Sequence, residues 1–106
     1  MEGWVARGAG GPSRLQFVDA RPVQPAGEVV GATVQLWSHD GKKLLSEGTN
    51  KYDGYFVAGY IGPYQPGMEY VLKAYAEGYR PLEQKVRLEQ FKVQWAMIYL
   101  VALDGE

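Results

Sequence analysis

Turn chemistry recurs along this chain about every 8–12 residues, and short segments of alternating apolar residues lie between the turns. Asp40-Gly41 and Asp53-Gly54 are tight-turn pairs in which glycine supplies a positive φ. Pro22 and Pro25, the cluster Gly62, Pro63, Pro66 and Gly67, and the run Gly78 to Pro81 break the chain elsewhere. A helix needs an uninterrupted apolar stripe over ten or more residues, which leaves little room for one here. The stretch Leu82 to Val93 is long enough, but Val86-Arg87-Leu88 alternates as a strand does. The expectation is an all-β chain.

Seven strands follow from the pattern. Leu15 to Val18 alternates, with Leu15 and Phe17 on one face. In Gly31 to Trp37, residues Ala32, Val34 and Leu36 share a face and Thr33, Gln35 and Trp37 the other. Leu44 to Thr49 and Phe56 to Ala58 follow the two Asp-Gly turns. Tyr70 to Ala76, the region around Val86 and Leu88, and Val93 to Leu103 complete the set. Half-apolar strands hide their apolar faces by pairing two sheets. Ala32, Val34, Leu36, Phe56, Leu72, Ala74, Val86, Ile98 and Leu100 are the expected inner faces. The 106 residues suffice for one domain with a thin core. Residues 1–13 hold Gly3, Gly8, Gly10 and Gly11 and read as a flexible arm or linker, with residues 14–106 as the domain.

Four pieces of the sequence resemble the carboxypeptidase regulatory-like domains. They are Val30-Gly31-Ala32-Thr33-Val34-Gln35-Leu36, Tyr52-Asp53-Gly54-Tyr55-Phe56, Pro66 to Ala74, and Glu77-Gly78-Tyr79. Their order and spacing agree with that family from about Phe17 to Leu100. The resemblance implies a seven-stranded antiparallel Greek-key β-sandwich of transthyretin-like form. It also implies a non-catalytic accessory module of secreted, cell-surface or periplasmic proteins, with a starch-binding-like branch that binds sugars. The sequence departs from the family between Arg21 and Val29, where an insert replaces a short link, and in the longer loop from Ala58 to Gln65. Tyr70 and Tyr79 read as structural, with rings at the core edge.

Several chemistries lack their residues. There is no cysteine, so disulfides, thiol nucleophiles and cysteine metal sites are excluded. A net charge of −1 offers no basic field for nucleic acid. The longest apolar stretch, Ala96 to Leu103, is too short to span a bilayer, and Met1 to Gly11 lacks the pattern of a secretory signal. The single histidine, His39, stands beside a tight turn with Asp40 as its sequence neighbour, whose side chain points elsewhere. Asn50 and Asp53 do not supply the oxygens calcium requires, and Asp53 is expected to cap its own turn. Glu69, Glu77, Glu83 and Glu89 read as surface charges. The 5-hydroxyisourate hydrolases of transthyretin-like fold have a histidine-rich site and a C-terminal signature without counterparts here. No catalytic residue, metal or cofactor is therefore expected.

The aromatic residues are the remaining signal. Trp37, Tyr75, Trp95 and Tyr99 fall opposite the core positions of their strands and are expected to form one outer patch. Tyr52, Tyr55, Tyr60 and Tyr64 cluster in turns and in the long loop. Trp4, in the arm, is a further contact residue that could pair with a neighbouring copy. The expected partner is protein, either a second copy or adjoining domains, with carbohydrate as the alternative. Rings that pack under the chain's own arm are the plain structural reading.

Overall fold

The computed structural model describes residues 1–59, 67–89 and 93–103. Those residues are all-β. Eight strands form, in the order β1 (Glu2–Arg7), β2 (Arg14–Val18), β3 (Thr33–Trp37), β4 (Leu44–Thr49), β5 (Tyr55–Val57), β6 (Glu69–Tyr75), β7 (Leu82–Arg87) and β8 (Trp95–Leu100). They make two four-stranded sheets. Sheet A runs β2-β8-β1-β5 and sheet B runs β4-β3-β6-β7. Every predicted inner-face residue is buried, and Leu36, Leu72, Ile98 and Leu100 are wholly inaccessible to solvent. Those four side chains come from both sheets. Burying each contributes roughly 1.5–3 kcal/mol.

The strand that exceeds the expected seven is β1. It corrects the reading of residues 1–13 as a flexible arm. Residues 2–7 lie parallel to β8 from Glu2↔Trp95 to Arg7↔Leu100, and antiparallel to β5 from Glu2↔Val57 to Trp4↔Tyr55. Without β1, β5 and β8 would have no common neighbour, and sheet A would be split. Glycine content suggested flexibility, but both Gly3 and Gly8 are buried, Gly3 against the Ala96 backbone and Gly8 against the Val101 and Tyr99 side chains. Gly10 and Gly11 do take positive φ, at the turn out of β1. Ser13 then clips the return of the chain. Its hydroxyl donates to the Arg80 carbonyl at 2.7 Å and accepts from the Val101 amide at 3.0 Å.

The two Asp-Gly turns differ. Gly41 has φ +74°, as its turn requires. Gly54 is not in the left-handed region. Its glycine is needed because a Cβ there would lie 2.7 Å from the Val5 carbonyl oxygen and 3.0 Å from Glu28 Cβ. The Val5 amide donates to the Gly54 carbonyl at 2.6 Å, and the Val29 amide donates to Val5 at 2.8 Å. The turn, β1 and the Glu28-Val29 segment thus meet at one crowded point.

That segment ends the loop that follows β2 through Pro22 and Pro25. The chain leaves β2 at one edge of sheet A and returns at the far side of β1. There Arg7 donates to Gly27 at 2.8 Å, and Ala6 bridges to Glu28. Residues 19–28 therefore strap the outer face of sheet A.

Candidate functional site

The four residues expected on one outer patch divide between two faces. Trp37 and Tyr75 lie on β3 and β6 in sheet B, whereas Trp95 and Tyr99 lie on β8 in sheet A. Alternation along a strand tells which side chains share a face; it does not tell which sheet the strand joins. Trp4 is on β1, also in sheet A, and is not carried by a free arm. Tyr60 and Tyr64 lie outside the described residues.

On sheet A the rings of Trp4, Trp95 and Tyr99 are half-buried, partly shielded by the chain itself. The Trp4 indole N–H donates to the Pro22 carbonyl at 3.2 Å, and its ring meets Tyr55 edge-on at 5.1 Å. The Arg21 guanidinium lies 5.8 Å from the Trp95 ring centre, and that of Arg14 lies 4.4 Å from Tyr99. Met97, between Trp95 and Tyr99 on the strand, is buried. The strap explains this shielding. Its sequence signal was the stretch broken by Pro22 and Pro25.

Tyr55, beside Trp4, also donates a hydrogen bond to the Glu2 carboxylate. Its phenol pKa is raised, first by burial and then by that bond and the Glu2 charge; Arg21 works in the opposite direction. A raised pKa means the folded state favours the protonated phenol. The stability it lends is complete below the ordinary tyrosine pKa, about 10, and is lost as pH rises through the folded value. Tyr55 is therefore expected to add a small, solvent-screened share to the loss of wild-type stability above about pH 10. Tyr55→Phe should start less stable at neutral pH and decline less over that range. Urea midpoints measured across the alkaline range check it; parallel curves for the two proteins would contradict it.

Sheet B differs. Across its outer face, the Trp37 indole N–H donates to Gln35 Oε1 at 2.9 Å. Gln35 Nε2 in turn donates to Glu47 at 2.6 Å and to the Tyr75 hydroxyl at 3.4 Å. Lys73 lies over the Trp37 ring at 4.8 Å and pairs with Glu83 at 3.6 Å. Thr33 and Thr49 share a hydrogen bond of 3.1 Å. Strand register builds this row, since Gln35 stands opposite both Glu47 and Lys73, and Lys73 opposite Glu83. Tyr75 is 44% exposed, whereas Trp37 is half-buried by its neighbours. Gln35, Glu47 and Lys73 escaped the sequence reading because only register assembles them around the two rings.

The other candidates take structural places. His39 is exposed, and its Nδ1 lies 3.0 Å from the Glu69 carbonyl. Asp53 accepts from the Tyr55 amide at 3.1 Å, the turn cap expected of it. Asp40 is capped the same way by the Lys42 amide and also accepts from the Ser38 hydroxyl; these bonds, Ser38 first, lower its pKa. Tyr70 is buried, and Tyr79 packs against the core with its hydroxyl near Arg7. Among the described residues, no group of three His, Cys, Asp or Glu side chains is placed to hold a metal ion. Comparison of the chain with protein-family models, with curated proteins and with solved structures finds no match, so the all-β two-sheet architecture and this geometry carry the functional argument.

Proposed function

We propose that this protein is a non-catalytic binding module that works through the outer face of sheet B, with Trp37 and Tyr75 as its anchors and a protein surface as its partner. One observation carries the reading. The strap and Arg14 lie against the half-buried rings of sheet A, whereas on sheet B Tyr75 is 44% exposed and the Trp37 and Tyr75 side chains bond only neighbours within that sheet among the described residues. Those bonds hold the rings in place before a partner arrives, which lowers the ordering cost of binding. Aromatic anchors ringed by paired charges are the composition of an interface centre with a polar rim. The non-catalytic part is supported by His39, the single histidine, which faces a main-chain carbonyl.

The strand order, with β1 parallel to β8 and hairpins at β3-β4 and β6-β7, supports a Greek-key, transthyretin-like topology, here with eight strands. The resemblance to carboxypeptidase regulatory-like domains underlies our placement of the module outside the cytoplasm.

Self-association is the first partnership to test. Light scattering over a concentration series is expected to give a mass above that of one chain, and Tyr75→Arg should return it to one chain. A mass unaffected by Tyr75→Arg would remove sheet B as the interface. A second reading, carbohydrate binding, is favoured by the Gln35 amide and Glu47 carboxylate beside two rings. It requires tryptophan fluorescence to respond to a glycan panel and Trp37→Ala to abolish the response.

A further inference from the structure

The strap reads Arg21-Pro22-Val23-Gln24-Pro25 at its centre. Proline fixes its own φ at about −65° and drives the residue before it toward extended backbone. Arg21, Pro22, Gln24 and Pro25 therefore all favour the polyproline II helix, which repeats every three residues. Burial follows that repeat. Pro22, Pro25 and Glu28 are half-buried, while Val23 with Gln24 and Ala26 with Gly27, between them, are exposed. We propose that the outer face of sheet A is a binding site for proline-rich segments of other proteins, Arg-Pro-x-x-Pro in pattern, and that the strap fills it in cis. This site is independent of the sheet B reading above.

The face has the parts such a ligand needs. Register sets Trp95, Met97 and Tyr99 of β8 beside Glu2, Trp4 and Ala6 of β1, with Tyr55 of β5 next to Trp4. The Trp4 and Tyr55 rings stand at 76° to each other, and the Glu2 carboxylate accepts from the Tyr55 hydroxyl, which fixes that ring. The Trp4 indole N–H donates to the Pro22 carbonyl at 3.2 Å, and the Trp95 ring takes the Arg21 guanidinium at 5.8 Å. Rings for proline and an indole donor for a carbonyl are how aromatic grooves hold polyproline segments. Residues 19–27 form no strand, so no sheet ladder locks the strap's centre in place. Its ends are held, at β2 and where the Arg7 amide donates to Gly27. The strap is thus a tethered ligand, and a free segment of the same kind competes with it.

The experiment is an indole and amide NMR titration of the full chain with a blocked peptide of the sequence of residues 19–28. Wild type is compared with a double variant, Pro22→Gly with Pro25→Gly, whose strap is loosened. The variant should give saturable shifts at the Trp4 and Trp95 indoles with a dissociation constant of about 0.1 mM. Wild type should bind about tenfold more weakly, since the tethered strap competes at an effective concentration on the order of 1 mM. Alanine at both prolines of the peptide should abolish binding. Trp4→Phe in the variant background, which keeps a ring but removes the N–H, should weaken binding about fivefold. The proposal is overturned if the alanine peptide binds as well, or if variant and wild type bind alike. It is also overturned if the variant self-associates, by light scattering, into a form the peptide does not dissociate, since the face then serves a second copy. Should the variant fail to fold, the wild-type titration decides, and absence of saturable indole shifts at millimolar peptide overturns the proposal.

Discussion

Gly3→Ala is expected to destabilise the protein severely. A Cβ at Gly3 would fall on the Ala96 carbonyl oxygen and lie 2.8 Å from its carbon and 3.2 Å from the Ala96 nitrogen. All three atoms are backbone, so no rotamer change relieves the clash. β1 would have to move away from β8 along the parallel ladder that joins Glu2–Arg7 to Trp95–Leu100. Because β1 also holds β5, the shift would loosen both sides of sheet A. We expect a loss on the order of 4 kcal/mol or more, against a total of about 5–15 kcal/mol for a domain of this kind. Far-UV circular dichroism and urea unfolding would read it. Gly27→Ala is the control. There a Cβ meets only Arg7 Cβ at 3.8 Å and φ is not positive, so the change should stay within about 0.5 kcal/mol. A Gly3→Ala protein with a wild-type midpoint would mean that residues 1–13 are a separable arm after all.

That glycine illustrates what the sequence made legible and what it did not. Period-two alternation is local, so it identified the strands β2 to β8 and the inner faces that meet at Leu36, Leu72, Ile98 and Leu100. Asp-Gly pairs are local too, and the turn at Gly41 followed from them. β1 was hidden because its partners are Tyr55 to Val57 and Trp95 to Leu100, far along the chain, and glycine composition outweighed Trp4 and Val5 in a short window. Gly54 was read for the wrong cause, since turn chemistry is visible in sequence and a carbonyl approaching from Val5 is not. The aromatic patch failed on the same ground. Trp37 and Trp95 each occupy an outward position on their own strand, but membership of a sheet is set by non-local pairing. Pro22 and Pro25 marked the strap's place as a break in the chain without its purpose, which only the contacts to Trp4 and Trp95 supply.

The two tryptophans on opposite faces are expected to respond to alanine in opposite ways. Trp4→Ala removes a ring packed against Tyr55 and leaves the Pro22 carbonyl without its indole donor under the strap. That should cost about 3 kcal/mol of folding stability. It should leave self-association unchanged, because sheet B is untouched and the remaining fold still presents Trp37 and Tyr75. Trp37→Ala removes a half-buried ring that rests on the sheet surface, and Gln35 keeps its bonds to Glu47 and Tyr75. Its folding cost should be about 1 kcal/mol. Its association constant should fall about 30-fold or more, as for an aromatic anchor at an interface centre. Association itself stabilises the folded chain, so urea midpoints must be taken well below the dissociation constant and association measured separately by sedimentation. If Trp4→Ala weakens association while Trp37→Ala does not, the working surface is sheet A, and the strap is then part of the interface. If Trp37→Ala leaves both quantities at wild-type values, the ring belongs to neither folding nor binding, and the sheet B proposal fails.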